Sequence, residues 1–285
     1  MRISVQLYTL RSSFEKSVWG TFDQLAEAGF KNVELAGLYG MSAEDLAAGL
    51  KERGITAHST HMGFGDLEGK TESVVEFAKA FGLDTVVIPW LQIKDFSGGW
   101  KEVGERATDV AAELKPHGIK VAYHNHDFEF QRVGSGDTGY DILFQHASDD
   151  VLAEVDIYWV KKAGFDPVRI LKQMSDRLPL AHFKDIDEEG FFTQVGQGSI
   201  DWPSVIEVCK EAKTKFAIIE NDQPRIDPVD AVTDLDSLNQ HDSGGGFRSG
   251  GCARAHPSHV GSRRSLRWYF GGRASWPTGL LCSLE

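Results

Sequence analysis

The chain has 285 residues, of which 41% are hydrophobic and 25% are charged, and its formal net charge is −12. These proportions are typical of a soluble globular protein, and no apolar run reaches the roughly 18 residues of a membrane-spanning helix. The N-terminus begins with strand-like sequence instead of a signal peptide, so we expect no membrane partner. The acidic balance disfavours nucleic acid as a partner, because a nucleic-acid interface needs a basic face.

Cysteine usage indicates the redox compartment. The three cysteines, Cys209, Cys252 and Cys282, are too few and too scattered for a disulfide framework or a CxxC metal site. We therefore expect a reducing compartment, the cytoplasm.

The C-terminal part of the chain differs in composition from the rest. Residues 236–285 contain six Arg, no Lys and three acidic residues, which makes this part +3 and residues 1–235 −15. From residue 244 onward the apolar residues follow neither a period of two nor one of 3.6. Such sequence is typical of a disordered basic interaction tail, or of a shifted reading frame near the 3′ end of the gene. We expect one domain over residues 1–239 and a tail over residues 240–285.

Short β-rich runs alternate with helical patterns eight times before this tail. The predicted strands are residues 3–7, 32–35, 56–59, 85–88, 120–124, 151–156, 180–184 and 216–220. The helical stretches between them include residues 22–28, 43–51, 73–81, 103–115, 167–175 and 203–213, and Asp227 and Pro228 signal the start of a last helix.

Repetition of strand and helix predicts a parallel sheet, because parallel neighbours need a crossover connection. Eight units in about 240 residues match a closed (β/α)8 barrel, the TIM barrel of the α/β class. The competing architecture, an open doubly wound sheet, is disfavoured because no GxGxxG follows the first strand.

A barrel of this kind carries its chemistry at the C-terminal ends of its strands. Polar side chains are dense at the predicted strand ends: Gln6, Tyr8, Glu34, His58, His61, Trp90, His124, Asn125, His126, Asp156, Trp159, His182, Lys184, Glu220, Asn221 and Asp222. The fifth to eighth strands offer His124 or a near neighbour, Asp156, His182 and Glu220, which together suit one divalent ion such as Mn²⁺, Zn²⁺, Co²⁺ or Mg²⁺. Taken alone, each of these residues is better explained as a hydrogen-bonded loop residue, but their occurrence together at successive strand ends favours a shared metal.

Five segments resemble a known family as a set. They are VQLYTLR (5–11), YHNHDFEF (123–130), EVDIYW (154–159), AHFKD (181–185) and IEND (219–222). This set is similar to the sugar phosphate isomerase/epimerase family, within the xylose isomerase-like TIM barrel superfamily. The resemblance covers about residues 1 to 235.

The resemblance implies one divalent metal held by a Glu, an Asp, a His and a second Glu from the last four strands, with the two Glu also moving protons. Asp156, His182 and Glu220 fall on the second, third and fourth of these positions. The first position departs from the family pattern, so either His124 replaces the carboxylate or Glu129 folds back to the metal. Strand register favours His124.

Such a site suits chemistry through an enediolate, formed when the carbon between a hydroxyl and a carbonyl group loses a proton. Glu220 is the expected base, and His124, His126 or Glu129 would supply the opposing group. Lys184 would hold a substrate oxygen or phosphate, or would form an ion pair with Asp185 or Asp187.

Other residues are candidates for binding the substrate. Glu34 and His61, on earlier strands, would line the substrate side of the pocket, and Asn125 lies between the two histidines of the fifth strand end. Trp159 would stack on a sugar ring or serve as a packing aromatic. Arg225 would neutralise a phosphate or cap the final helix.

Three kinds of function remain open. The first is a metal-dependent isomerase or epimerase of a small sugar or sugar phosphate, with a keto-sugar or inosose dehydratase or lyase as its alternative on the same site. The second is a catalytically silent sugar-binding barrel. The third is an apurinic-site endonuclease, which the charge of −15 over residues 1–235 disfavours. A small-molecule sugar is the expected partner, and the sequence leaves homo-oligomerisation open.

Overall fold

The computed structural model describes residues 1–134, 136–235 and 238. The expected tail over residues 240–285 lies outside this range. In the range that it covers, no helix has both the length and the apolar character needed to span a membrane.

Eight parallel strands close into a barrel in which each strand pairs with the next along the chain and β8 pairs with β1. The strands are β1 Arg2–Gln6, β2 Asn32–Leu35, β3 Thr56–His61, β4 Thr85–Ile88, β5 Lys120–His124, β6 Val151–Asp156, β7 Leu180–Phe183 and β8 Phe216–Ile219. The predicted TIM barrel is therefore confirmed. A two-residue antiparallel pair, Asp185–Ile186 with Phe192–Thr193, lies in the loop that follows β7.

The helices are α1 Arg11–Phe14, α2 Val18–Glu27, α3 Ala43–Glu52, α4 Phe64–Leu67, α5 Thr71–Phe81, α6 Gly99–Leu114, α7 Gly139–His146, α8 Ile157–Lys162, α9 Pro167–Gln173, α10 Trp202–Glu211 and α11 Pro228–Thr233. The Asp227 side chain accepts a hydrogen bond from the Val229 N–H, so the predicted start of the last helix is observed. Helix α7 was not among the predicted helices. Its start depends on a capping box in which Thr138 and Asp141 exchange hydrogen bonds.

Two strand ends differ from prediction in a way that matters for the site. Strand β3 continues to His61, because Ser59, Thr60 and His61 pair with residues 85 to 87 of β4. His61 is thus the last residue of a strand and does not follow one. Strand β7 ends at Phe183, so Lys184 lies in the short segment between the barrel strand and the antiparallel pair.

The barrel interior is layered. Apolar side chains from alternating positions fill part of it: Val87, Ala122, Leu180, Phe216 and Ile218. Because side chains alternate along a strand, the residues two positions further toward the C-terminal end of each strand face the same interior. Among these residues are His124, Glu154, His182 and Glu220, all buried. The apolar layer thus closes the barrel on one side of a polar layer.

Candidate metal centre

Three successive strands bring Asp156, His182 and Glu220 together. Asp156 ends β6 in register with His182 of β7, and Glu220 directly follows β8. His182 Nδ1 lies 2.8 Å from Glu220 Oε2 and 3.9 Å from Asp156 Oδ2. All three are buried, and one ligand atom of each lies within 4.8 Å of those of the other two. The structure thus brings together three of the four predicted ligands.

His124, the fourth predicted ligand, lies between this group and a neighbouring carboxylate. Its Nε2 is 3.7 Å from Asp156 Oδ2, and its Nδ1 is 3.1 Å from Glu154 Oε2. The alternative ligand, Glu129, is buried apart from the group. It accepts hydrogen bonds from the Tyr123 hydroxyl at 2.9 Å and the His126 N–H at 2.8 Å.

Glu154 is a buried residue that the sequence analysis did not assign to the site. Its Oε2 lies 3.1 Å from His61 Nε2, His124 Nδ1 and His182 Nε2. The signal was present in the sequence, because Glu154 is two residues before Asp156 and so faces the same side of β6.

Glu34 lies in the barrel interior, beside His182. Its Oε1 accepts a hydrogen bond from Gln6 Nε2 at 2.7 Å and lies 2.8 Å from His182 Nε2. Its side chain is fully buried. Glu34 therefore faces the same imidazole as Glu220, from the opposite side.

Lys184 places a buried ammonium group among the carboxylates. Its Nζ lies 3.0 Å from Asp156 Oδ2, 2.8 Å from Glu220 Oε2 and 3.0 Å from Asp222. Burial acts to lower the pKa of Lys184, but the charges of Asp156, Asp222 and Glu220 outweigh it and raise that pKa well above its usual value. Lys184 is thus a fixed positive charge.

The two acids expected to pair with Lys184 lie elsewhere. Asp185 accepts hydrogen bonds from the Gly196 and Gly198 N–H groups and from Trp202 Nε1. Asp187 pairs with Arg225 at 3.1 Å. Arg225 is exposed and lies over the Phe191 ring, so the structure does not bring it into the buried group.

The remaining predicted residues surround the group. Asn125 holds the backbone of Asp156, because its Oδ1 accepts from the Asp156 N–H at 3.0 Å and its Nδ2 donates to the Asp156 carbonyl at 3.3 Å. The Trp159 ring lies 5.3 Å from the His126 ring and 5.6 Å from Lys184 Nζ. Asn125 is thus placed to orient Asp156, and Trp159 lies at one side of the buried group.

Burial shifts the two candidate proton carriers in opposite senses. Loss of water raises the pKa of Glu129 to about 8, although the hydrogen bonds that it accepts oppose this. Burial, followed by the charge of Lys184, lowers the pKa of His126 to about 3. At neutral pH Glu129 is therefore protonated and His126 is unprotonated.

The donor set fits a divalent metal. Carboxylate oxygens with an imidazole nitrogen suit Mn²⁺, Co²⁺, Zn²⁺ or Mg²⁺, and three protein ligands leave positions for a substrate. Asp156 and Glu220 already attract a cation, since the Lys184 ammonium lies between them.

Comparison with known proteins places this barrel in a family. The family model described as the xylose isomerase-like TIM barrel matches residues 22–241, which is more than half of the chain. The chain belongs to the xylose isomerase-like TIM barrel family. This confirms the resemblance drawn from the five sequence segments.

One curated protein shares limited sequence identity with this chain. The rhizopine catabolism protein MocC of Rhizobium meliloti is 24% identical over 143 residues, which are 44% of this chain and 43% of that protein. The chain thus aligns with less than half of that relative's length.

Solved structures show the same fold. A sugar phosphate isomerase/epimerase from Parabacteroides distasonis has a TM-score of 0.73 at 20% identity, covering 86% of this chain and 94% of that chain. A probable 3-DHS dehydratase, AsbF, from Bacillus anthracis has a TM-score of 0.64 at 16% identity, covering 85% of this chain and 100% of that one. The IOLI protein with a bound zinc atom has a TM-score of 0.63 at 18% identity, covering 85% and 100%.

Proposed function

We propose that this protein is a metal-dependent isomerase or epimerase of a small sugar or sugar phosphate. The observation that carries the proposal is the convergence of Asp156, His182 and Glu220 at the C-terminal ends of three neighbouring strands, where barrels of this fold hold their active sites. The membership of the family and the similarity to a sugar phosphate isomerase/epimerase support it.

The ligands of the proposed metal are Asp156, His182 and Glu220, with His124 as the fourth. A divalent ion held there would supply Lewis-acid stabilisation of the negative charge that develops on the substrate oxygens. Asn125 keeps Asp156 oriented by binding both polar groups of its backbone. The barrel interior excludes water from this polar layer, which strengthens each charge interaction in it.

Glu220, together with Glu129 or His126, would transfer the protons. Glu220 is the proposed base. Burial acts to raise the pKa of Glu220, but the charges of Lys184 and His182 lower it by more, so the carboxylate is ionised. Glu129 is the proposed acid, since it carries a proton at neutral pH, and unprotonated His126 is the alternative acceptor on the same loop. Proton removal and return on opposite faces of one carbon would yield an epimer, and transfer between neighbouring carbons an isomer.

The substrate would be held by the remaining residues. Lys184 offers its ammonium to an anionic oxygen or a phosphate, and Trp159 offers an aromatic face to the apolar side of a sugar. Glu34 and His61 lie deeper in the barrel and would position His182, which in turn contacts the substrate site. Arg225 would act only on a substrate long enough to reach the exposed loop after β8.

Dehydration is the second candidate reaction. Protonated Glu129 is the kind of group that a leaving hydroxyl needs, and the probable 3-DHS dehydratase shares the fold. A keto-sugar or inosose dehydratase would use the same base and differ only in losing a β-hydroxyl group after the first proton is removed.

Exchange of substrate hydrogen with solvent deuterium tests both reactions, because each begins with removal of a proton next to a carbonyl group. The purified chain would be incubated with Mn²⁺ and a panel of ketoses, sugar phosphates and inososes, and followed by NMR. We expect exchange that needs the metal and falls at least about 100-fold in Asp156→Asn and Glu220→Gln. The exposed Glu207→Gln on α10 is the matched control.

The exchange experiment also distinguishes an enzyme from a sugar-binding barrel without activity. Exchange without a net product would indicate that the true substrate is a close relative of the one tested. Binding of a sugar with no exchange, after loading with each metal in turn, would contradict the proposal and indicate a catalytically silent sugar-binding barrel.

A further inference from the structure

A second group of metal-binding side chains surrounds Glu154, beside the site proposed above. Its Oε2 lies 3.1 Å from the nearest ring nitrogen of each of three histidines, His61, His124 and His182. One ligand atom from each of the four residues lies within 4.8 Å of all the others. Tetrahedral ligands at Zn²⁺ bond lengths of 2.0 to 2.1 Å are separated by about 3.3 Å, close to these distances.

The residues come from different strands and are held rigidly. His61 ends β3, His124 ends β5, Glu154 lies inside β6 and His182 inside β7. Glu154 is fully buried, and its other oxygen, Oε1, has no hydrogen-bond partner among the described residues. A buried carboxylate oxygen without a partner is costly unless a cation or donor satisfies it.

The donor chemistry differs from that of the first site. Three imidazole nitrogens and one carboxylate favour Zn²⁺ and its borderline neighbours over Mg²⁺ or Ca²⁺, which prefer oxygen. Asp156 and Glu220, with one histidine, form the oxygen-rich group, and the Lys184 ammonium already lies between them. No lysine or arginine of the described residues forms an ion pair with Glu154.

We propose that His61, His124 and Glu154 form a second divalent-cation site, selective for Zn²⁺-like ions, which His182 completes through Nε2. His182 directs its Nδ1 toward Glu220, and its Nε2 lies 2.8 Å from Glu34 Oε1 and 3.1 Å from Glu154 Oε2, so it faces both sites. His124 also faces both sites, since its Nε2 lies 3.7 Å from Asp156 Oδ2 and its Nδ1 lies 3.1 Å from Glu154 Oε2. When His182 serves the first site and His124 the second, each site has three protein ligands and an open position. The second site does not rest on the proposed reaction.

The test separates the two sites by removing each in turn. The full chain would be stripped with a chelator, loaded with Zn²⁺ or Co²⁺, and freed of excess metal, and its metal content and Co²⁺ absorption spectrum measured. In Asp156→Asn/Glu220→Gln we expect about one Zn²⁺ per chain and the intense visible bands of tetrahedral Co²⁺. Adding Glu154→Gln or His61→Gln to that background should abolish both signals.

Matched controls are the exposed residues Glu207 and His117, changed to Gln in the same background. Because Glu154→Gln affects the core, His61→Gln provides a second test at a side chain that is 16% exposed, and far-ultraviolet circular dichroism would check that each variant is folded. Loss of all Zn²⁺ from the folded Asp156→Asn/Glu220→Gln variant, or full Zn²⁺ retention after Glu154→Gln and His61→Gln, would overturn the second site.

Failure of this proposal is distinguishable from failure of the proposed function. Metal-dependent hydrogen exchange that survives His61→Gln, with no Zn²⁺ on Asp156→Asn/Glu220→Gln, would overturn the second site and leave the reaction standing. Zn²⁺ binding that depends on His61, in a protein that catalyses no exchange, would overturn the proposed reaction and leave the second site standing.

Discussion

Lys184 is a lysine whose ammonium group lies inside the protein among three carboxylates. Its Nζ is within 3.0 Å of Asp156, Glu220 and Asp222, and its side chain is 2% exposed. Such a charge is tolerated in a protein interior only because it is paired. In the metal-free protein, Lys184 therefore neutralises the carboxylates that a divalent ion would bind.

The competition between Lys184 and a metal can be measured. We expect Lys184→Met to lower the free energy of unfolding of the metal-free protein by about 3 kcal/mol, because it leaves buried carboxylates without a cation. The same change should tighten Mn²⁺ binding by about tenfold or more, since the ammonium no longer competes for Asp156 and Glu220. Urea unfolding and calorimetric titration would check both effects, with the exposed Lys161→Met as control. Weaker Mn²⁺ binding in Lys184→Met would contradict this interpretation.

Glu129 is a second residue whose charge state depends on burial. Its pKa of about 8 means that the folded protein holds a proton there which the unfolded chain releases near pH 4 to 5. Between those values the folded state binds more protons, so the stabilisation that Glu129 provides at low pH is lost as the pH rises.

The metal-free protein should therefore lose stability, relative to Glu129→Gln, from about pH 5 to pH 8. The slope of the difference approaches about 1.4 kcal/mol per pH unit at most. Glutamine suits the site because it can accept from the His126 N–H and donate to the Tyr123 oxygen. Urea unfolding at several pH values would measure the effect, with Glu207→Gln as control. Parallel curves for the protein and Glu129→Gln would show that Glu129 is ionised throughout.

At the scale of elements, close packing of α6 against α7 supports the loop that carries His126 and Glu129. Gly104 on α6 faces the end of α7, where an added Cβ would clash with the Leu143 carbonyl oxygen. An added Cβ on Gly139, at the start of α7, would likewise clash with the Trp100 ring of α6. Both contacts are possible only because neither glycine has a side chain.

Gly104→Ala should therefore destabilise the protein by about 1 to 3 kcal/mol through overpacking, although alanine favours a helix more than glycine does. The matched control is Gly65→Ala on α4, where an added Cβ meets no atom within 4 Å. That change should be neutral or should stabilise by up to about 1 kcal/mol. Thermal unfolding of the two variants would compare them, and equal melting temperatures would show that α6 and α7 can separate at little cost.

The loop after β7 is a second element that shapes the site. The Asp185 carboxylate accepts hydrogen bonds from Gly196, Gly198 and Trp202 across the loop. The antiparallel pair that this arrangement supports includes Phe192, which stacks on Tyr158 at 4.1 Å and lies 5.8 Å from Lys184 Nζ. Asp185 is thus used to hold the loop, and Lys184, its neighbour, faces the site.

At the scale of the whole molecule, the barrel encloses a cluster of four carboxyl groups beside one lysine. Glu34, Glu154, Asp156 and Glu220 are buried together, and Lys184 is the lysine or arginine that the described structure places among them. Burial acts to raise the pKa of each of these carboxyls, which opposes their ionisation. A divalent ion that binds only the folded state offsets this cost.

Added Mn²⁺ or Zn²⁺ should therefore raise the melting temperature in proportion to the logarithm of its concentration. At about 100 times the dissociation constant, the stabilisation is about 2.7 kcal/mol. The shift should be smaller below about pH 5, because protons compete for the same carboxylates and imidazoles. Differential scanning fluorimetry with and without a chelator would measure it, and an unchanged melting temperature at saturating metal would contradict a buried metal site.

The sequence by itself determined the barrel and the ligand candidates of its last strands. Alternation of strand and helix predicts parallel pairing, and the period of two along a strand predicts which side chains face the interior. Asp156, His182 and Glu220 could be placed together for this reason, because they end neighbouring strands of a parallel sheet. The same argument could have predicted Glu154, which lies two residues before Asp156 and faces the same side of the strand.

Only the tertiary structure decided which residues meet across the barrel. His182 and Glu34 are 148 residues apart in the chain, and His61 reaches Glu154 from a strand that is not its neighbour. Those contacts depend on how far closure staggers the strands, which local sequence patterns do not encode. The sequence left the partners of Lys184 and of Glu129 undecided for the same reason. A buried polar side chain pairs with the groups that the closed barrel places around it.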